Sequence, residues 1–258
     1  MYLKVDFGEA GMFPGDSHFP VILLAINNLR SDGPNGPICD PDLHSDYPKY
    51  ASCGAYDVDG TCDWTSCHDD VAFTEMLLYE ITSTFCVDLN HIHMSGASNG
   101  GMFIYTRALP ALSSSLASVG PVCSSPLRGF NFLPDSPVNI ISFHGLNDRT
   151  IPYSVDGPHN LGPGPDGTVI AEDGWYYHIE SEHLAAIREK MNCKPDPLPY
   201  QTHMDGVHGW TCSLWSGCDE GKEVVHCHGE YGHDYPFSNR YIEGVMIIWD
   251  FMKTHTRT

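Results

Sequence analysis

The apolar positions of the chain fall into short blocks with two different periods. Phe19 to Ile26 is an almost unbroken apolar run with the length of a buried strand. Phe73, Leu77, Ile81 and Phe85 recur every fourth residue, which predicts a helix over Asp69 to Phe85; Asp69 and Asp70 sit at the end where the helix dipole favours negative charge. His91 to Ser95 reads as a short strand, and Asn99 to Ala108 as a helix stopped at Leu109 by Pro110. Leu116 to Val122, Val138 to Phe143 and Glu223 to Cys227 are further strand candidates. Trp175 to Met191 is predicted helical, with Leu184, Ile187 and Met191 on one stripe. Tyr241 to Met252 is a last helix with Tyr241, Val245, Ile248 and Met252 in register. Strands alternating with helices predict an α/β fold with a mostly parallel central sheet. Residues 1 to 18 show no period, and 27 to 68 form a long irregular stretch rich in Asp, Pro and Cys. A stretch of that length is usually functional, cross-linked or both. With no internal repeat and no boundary signal, residues 1–258 read as a single domain.

Composition narrows the function classes. Lys and Arg number 13 against 33 Asp and Glu, a net charge of −20. A chain this acidic repels phosphate backbones and anionic lipid, so no nucleic-acid or membrane partner is expected. No apolar run reaches the roughly 18 residues of a membrane span. Ten cysteines, an even count, point to disulfides and to a secreted, extracellular protein. Cys62 and Cys67 are spaced C-x4-C and Cys212 and Cys218 C-x5-C, so the short C-x2-C spacing of a zinc site is missing. His226-Cys227-His228 resembles a ligand cluster, but on a strand His226 and His228 share a face that Cys227 does not. The pairing of the cysteines stays open. Cys212, Cys218 and Cys227 are close enough in sequence that at least one is expected to staple the loop that presents His233.

Chemistry concentrates at Gly96-Ala97-Ser98-Asn99-Gly100, a G-x-S-x-G pentapeptide between a predicted strand and a predicted helix. A nucleophile elbow needs that context: a sharp strand-to-helix turn that exposes a serine, with small neighbours that let the chain turn and a substrate approach. A serine nucleophile needs a base, and the base needs an acid to orient it. In the α/β-hydrolase arrangement the acid and then the histidine follow the serine along the chain. Asp148, in the loop after the strand ending at Phe143, is the candidate acid, with Asp156 as competitor. Among fifteen histidines, His233 lies after the last strand and before the last helix, where this arrangement delivers its base. His203, His208, His226 and His228 are rivals expected on polar surface, and His144 and His159 lie too close to the acid loop. The backbone N–H of Asn99 is the candidate oxyanion donor.

These residues carry a resemblance. D-D-V-A-F-T at Asp69 to Thr74, F-C-V-D at Phe85 to Asp88, G-A-S-N-G-G at Gly96 to Gly101, F-H-G-L-N-D-R-T-I-P-Y at Phe143 to Tyr153 and G-H-D-Y-P at Gly232 to Pro236 run in order over most of the chain. In them the chain resembles the secreted feruloyl esterases and polyhydroxybutyrate depolymerase-like serine esterases, above all the fungal-type feruloyl esterases. The resemblance implies Ser98 as nucleophile, Asp148 as acid, His233 as base, no cofactor, and a polysaccharide-linked feruloyl ester as substrate. A polyhydroxyalkanoate or acetylated xylan is the alternative. Two other classes stay open: a non-catalytic remnant or binding module, and a zinc hydrolase using the histidines from His203 to His233. One departure stands out. The H-G pairs, at His144, His208 and His228, all follow Ser98, so no His-Gly oxyanion loop precedes the nucleophile. Together with a start that lacks an apolar leader, this reads as an N-terminally truncated hydrolase domain.

Overall fold

The computed structural model describes residues 70–172, 174–201, 210–233 and 242–257, and the backbone of two short strands nearer the N-terminus. Those two, β1 (Val5–Phe7) and β2 (Ile22–Leu24), pair antiparallel. β2 lies inside the predicted Phe19 to Ile26 strand, whereas β1 falls in a stretch read as irregular. Three residues are too few for a period to show, and a strand that short is specified by its partner.

Next come α1 (Asp70–Thr84), β3 (His93–Ala97), α2 (Asn99–Phe103), α3 (Leu109–Leu112), β4 (Ser118–Val122) and β5 (Asn139–Gly145). They are followed by β6 (Asn160–Pro163), β7 (Thr168–Ala171), β8 (Tyr176–His178), α4 (Glu180–Lys190), β9 (Leu198–Pro199), β10 (Trp210–Trp215), β11 (Val224–Gly229) and α5 (Ile242–Met252). The main sheet has the order β3-β4-β5-β11-β10-β9. β3, β4, β5 and β11 run parallel, and β10 and β9 extend the sheet antiparallel. This mixed α/β architecture with its mostly parallel sheet is compatible with the α/β-hydrolase fold.

The inner strands are apolar on both faces because both faces are covered, the condition under which strands lose their alternation of polar and apolar residues. On one face Val119, Ile140 and Val224 pack with Tyr105, Leu109, Leu112, Leu184, Ile187 and Met191. On the other, Val122, Ile141, Phe143, Val225 and Cys227 pack with Ile247, Ile248 and Phe251 of α5. The predicted stripes of α4 and α5 face these cores: Leu184, Ile187, Met191, Ile248 and Met252 are all buried. Tyr241 lies outside the described residues.

Two predicted helices differ from the structure. The segment Trp175 to Met191 is not one helix: β8 comes first, and only Glu180–Lys190 is helical. The β-favouring pair Tyr176-Tyr177 adds a third strand to the antiparallel sheet β6-β7-β8, with Ile170 opposite Tyr176 and Val169 opposite Tyr177. This pairing overrides the helical pattern. The helix from Asn99 also runs past Pro110. Ile104–Ala108 forms a π-helical turn, and Pro110 then lies in the first turn of α3. Ala108 and Leu109 keep helical backbone angles, and the π-helical turn just before Pro110 is where the chain accommodates the missing proline N–H.

Two disulfides join described cysteines, Cys193–Cys218 and Cys212–Cys227. Cys212 and Cys227 are directly opposed in the β10–β11 ladder, so the bridge staples the strand that leads to His233. Cys39, Cys53, Cys62 and Cys67 lie outside the described residues. Replacing Cys212 and Cys227 together by alanine opens a loop with a separation of 15 residues. The expected loss is about 3 kcal/mol of unfolding free energy. Urea denaturation of the parent and the double variant without reductant measures it, and equal midpoints would contradict the stapling role.

Candidate active site

Ser98 occupies the turn between β3 and α2 with φ 53 and ψ −122, a conformation that side chains rarely adopt. Its surroundings hold it there. The Ser98 N–H donates to the Val122 carbonyl at 2.9 Å, and the Met102 N–H donates to the Ser98 carbonyl at 2.9 Å. Gly96 is required for the turn to close, since a Cβ there would lie 2.6 Å from the Gly100 carbonyl carbon. Asn99 is the first residue of α2, where backbone N–H groups have no acceptor within the helix and are free to face a developing anion.

Asp148 is buried in the loop after β5. Its Oδ1 accepts the Thr150 N–H at 2.8 Å and the Ile151 N–H at 2.9 Å. Its Oδ2 lies 2.8 Å from His233 Nδ1, and His233 Nε2 lies 2.9 Å from Ser98 Oγ. An ionised carboxylate only accepts, so Nδ1 carries the proton, and in the neutral ring Nε2 is left to accept the Ser98 hydroxyl. Burial pushes the Asp148 carboxyl up, but hydrogen bonds from His144 and His233 and the charges of those rings outweigh it and hold the group at about 2.

The acid loop and the histidine loop are joined along their length. The Leu146 N–H donates to the Gly229 carbonyl and the Asn147 N–H to the Tyr231 carbonyl, each at 2.8 Å. Gly145 permits this approach, because a Cβ there would meet the Gly232 carbonyl oxygen at 2.5 Å. On the far side of the histidine loop, Tyr231 stacks on Trp210 with ring centroids 4.4 Å apart.

The three sequence candidates Ser98, Asp148 and His233 thus form one hydrogen-bonded chain. Asp156, the competing acid, is exposed. His226 and His228 do share a face of β11, with rings 5.8 Å apart. The expectation that they lie on polar surface fails for His226, which is buried beside Ser142, with Nδ1 2.8 Å from Ser142 Oγ. His203 and His208 lie outside the described residues, as do residues 1–69 apart from the backbone of β1 and β2. Sequence reasoning missed three buried side chains behind the acid: Tyr105, His144 and Glu180. His144 was visible in F-H-G but set aside for its nearness to Asp148, and nothing near Glu180 in sequence marks it.

No protein-family model matches the chain. Among curated proteins it is similar to a bifunctional acetylxylan esterase/xylanase of Neocallimastix patriciarum, 23% identical over 214 residues, covering 81% of this chain and 26% of that protein. It is similar to feruloyl esterase B of Piromyces equi, 26% identical over 163 residues, covering 62% and 27%. It is also similar to a protein of Aspergillus niger named "Probable feruloyl esterase C", 24% identical over 166 residues, covering 64% and 50%. The chain therefore spans a quarter to a half of the length of these relatives. None of the three names mentions polyhydroxybutyrate.

The buried histidines fix how stability follows pH. Burial holds His183 and His226 down at about 4 despite the pull of Glu180. The unfolded chain protonates such groups near 6.5, so their contribution is lost as pH falls from about 6.5 to about 4. His144 behaves in the opposite sense. Burial pushes it down, but the Glu180 charge and hydrogen bonds to Asp148 and Glu180 raise it to about 10. Its contribution is complete below 6.5 and lost as pH rises toward 10. At roughly 1.4 kcal/mol per unit, His183 and His226 each carry on the order of 3 kcal/mol and His144 on the order of 5 kcal/mol. Urea midpoints measured from pH 4.5 to 9 are expected to peak near pH 6.5 and fall on both sides, whereas a midpoint still rising between pH 7 and 9 would contradict this assignment.

Proposed function

We propose that this chain is a secreted carboxylic-ester hydrolase, folded as a single α/β-hydrolase domain, that works through an acyl-enzyme on Ser98. The observation that carries the reading is the continuous chain Ser98 Oγ, His233 Nε2 and Nδ1, Asp148 Oδ2, with links of 2.9 and 2.8 Å, built on a serine in the strained elbow conformation. His233 takes the Ser98 proton as Oγ attacks the ester carbonyl. Asp148 keeps that ring in the Nδ1–H tautomer and stabilises the imidazolium that forms. The Asn99 N–H stabilises the oxyanion. His233 then protonates the leaving alcohol, and water, activated by the same ring, releases the acid from Ser98. These steps use only side chains, backbone and water, so no cofactor has a role in them.

The substrate class follows from the company the chain keeps. Relatives named feruloyl esterase and acetylxylan esterase favour an ester carried on plant cell-wall polysaccharide. A feruloyl ester is the first choice. An acetyl ester on xylan is the second reading, favoured by the relative that covers 81% of the chain. The disulfides and the net charge of −20 suit an extracellular enzyme.

Ser98→Ala is expected to lower turnover of p-nitrophenyl acetate on the order of a million-fold with the circular dichroism spectrum unchanged. Asp148→Asn is expected to lower it about ten-thousand-fold, because the His233 tautomer is lost. Initial rates on p-nitrophenyl acetate, methyl ferulate and acetylated xylan test both the chemistry and the substrate. A Ser98→Ala protein within tenfold of the parent would refute the nucleophile. Release of acetate from xylan without cleavage of methyl ferulate would move the assignment to the acetyl ester.

A further inference from the structure

Behind Asp148, away from Ser98, lies a buried polar chain that the reaction steps do not use. Glu180, the first residue of α4, is buried, and so are His144 at the end of β5 and Tyr105 in the π-helical turn after the elbow. The Tyr105 hydroxyl donates to Glu180 Oε1 at 2.5 Å, and His144 Nδ1 lies 2.8 Å from Glu180 Oε2. On its other side, His144 Nε2 lies 2.9 Å from the Ile151 carbonyl oxygen and 3.5 Å from Asp148 Oδ2. The Ile151 N–H in turn donates to Asp148 Oδ1. His144 therefore closes a ring of contacts around the acid, and Glu180 and Tyr105 tie that ring to the helix that begins at the nucleophile.

Proton bookkeeping limits what this chain can be. The Ile151 carbonyl only accepts, so Nε2 of His144 carries a proton. One further proton lies between Nδ1 and Glu180 Oε2. Placed on Nδ1, it gives an imidazolium beside a carboxylate. Two carboxylates flank the ring, Glu180 at 2.8 Å and Asp148 at 3.5 Å, and Glu180 is already the acceptor of the Tyr105 hydroxyl. That arrangement favours the charged ring. The other groups facing the cluster do not compete for the charge. The Tyr153 ring stands edge-on to His144, with centroids 5.5 Å apart. His226, from the neighbouring strand, has Nδ1 4.0 Å from Glu180 and is kept neutral by burial. His183 of α4 meets the edge of the Tyr105 ring and is also kept neutral by burial, while His228 stands beyond Tyr153.

We propose that His144 and Glu180 are positioning residues: a buried imidazolium–carboxylate pair, positive end toward Asp148, that clamps the acid loop and keeps His233 unprotonated, hence able to act as base, to lower pH. The proposal rests on the assignment of Ser98, His233 and Asp148 as nucleophile, base and acid. Its physical content is a sign. A cation 3.5 Å from Asp148 Oδ2 opposes the arrival of a second positive charge on His233. Glu180 offsets this only partly, because it is farther from His233 than His144 is along the hydrogen-bonded chain. An enzyme so built keeps its activity in mildly acid surroundings.

Glu180→Gln is the discriminating variant. The amide accepts from Tyr105 and donates to His144 Nδ1, so the contacts survive while the charge is removed and His144 becomes neutral with its proton on Nε2. The acid limb of kcat/KM on p-nitrophenyl acetate is expected to move up by about half to one pH unit, with KM within twofold of the parent. In the parent, nitrogen NMR of protein labelled with 15N-histidine is expected to show both His144 nitrogens protonated at pH 8, and in the variant only Nε2. A purely structural role would lower the melting temperature but leave the acid limb in place, and that result overturns the proposal. A neutral His144 in the parent at pH 8 overturns it too, and this measurement decides the matter if Glu180→Gln does not fold. Ser98-independent hydrolysis by the parent would remove the esterase reading and this proposal with it. Ser98-dependent hydrolysis with an unmoved limb would remove this proposal alone.

Discussion

The arrangement at the candidate site depends on the parallel register of β5 against β11. His144 is paired with His228 and Gly145 with Gly229, so the two strands end level with one another. The loops that follow must then leave the sheet side by side, and the backbone bonds from Leu146 and Asn147 to Gly229 and Tyr231 fasten them. Asp148 and His233 meet because of this pairing, although 85 residues separate them. The same logic places the serine. β3 is paired with β4, Ala97 opposite Val122, and the Ser98 N–H continues the ladder by donating to Val122. A one-residue slip in either pair would turn every side chain to the opposite face, and a strand buried on both sides leaves no room for such a slip.

The parallel strands also explain where polar groups can be afforded. On the face shared with α4, β5 runs Ile140, Ser142, His144 and β11 runs Val224, His226, His228. Each strand begins apolar, against Leu184 and Ile187, and becomes polar toward its carboxyl end. Glu180 enters from α4 at the level where that change occurs. A buried carboxylate without partners would cost several kcal/mol. Here it is met by a hydroxyl at 2.5 Å and an imidazole at 2.8 Å, so both oxygens are satisfied. Two opposing effects act on the same histidine type in this region. Desolvation prevails for His226, whose Nδ1 is 4.0 Å from Glu180, whereas for His144 it is outweighed by the Glu180 charge at 2.8 Å together with hydrogen bonds to Asp148 and Glu180 and the Asp148 charge. His144 lies between two carboxylates, Glu180 at 2.8 Å and Asp148 at 3.5 Å, and His226 has only the more distant approach to Glu180.

What could be read from the sequence was what is local. Ser98 announces itself because an elbow needs small residues at fixed offsets, and Gly96 is one of them. Asp148 and His233 were legible as positions after strands, since a parallel sheet delivers its functional loops at carboxyl ends. The central strands β4, β5 and β11 were found because burial on both faces puts apolar residues at odd and even positions alike, as in Ile140-Ile141 and Val224-Val225. The rest depends on partners distant in sequence. β10, Trp210–Trp215, is different: Trp210, Cys212 and Leu214 alternate with Thr211 and Ser213, a strand period that went unassigned, and the apolar set faces the core beside α5 once the ladder with β11 and the Cys212–Cys227 bridge are in place. Tyr176 and Tyr177 fit a helical extension as well as a strand until β7 is beside them. Glu180 lay unmarked inside the predicted helix from Trp175 to Met191, and only the fold turns it inward onto His144. His226 was misplaced for the same reason: its polarity speaks for the surface, and Ser142 is invisible until β5 and β11 are paired.

The strain at Ser98 and the strength of the elements around it belong to one account. A residue at φ 53 costs on the order of 1 to 3 kcal/mol and persists only when its neighbours leave it no alternative. Bonds at the Ser98 N–H and carbonyl fix the turn from both ends, and close packing at Gly96 removes the room to relax. The histidine loop is constrained differently, through alternation along β11. Odd positions face α5, where Cys227 is stapled to Cys212 and Phe143 packs on Trp210, while even positions carry His226 and His228 toward Glu180. One face of the strand is therefore locked covalently and by aromatic packing, and the other is free to carry polar groups. The loop that leaves such a strand inherits a fixed starting point, with Tyr231 held on Trp210, and His233 stands two residues beyond that anchor. A base so close to a rigid support needs few contacts of its own, and its two ring nitrogens are spent on Ser98 and Asp148.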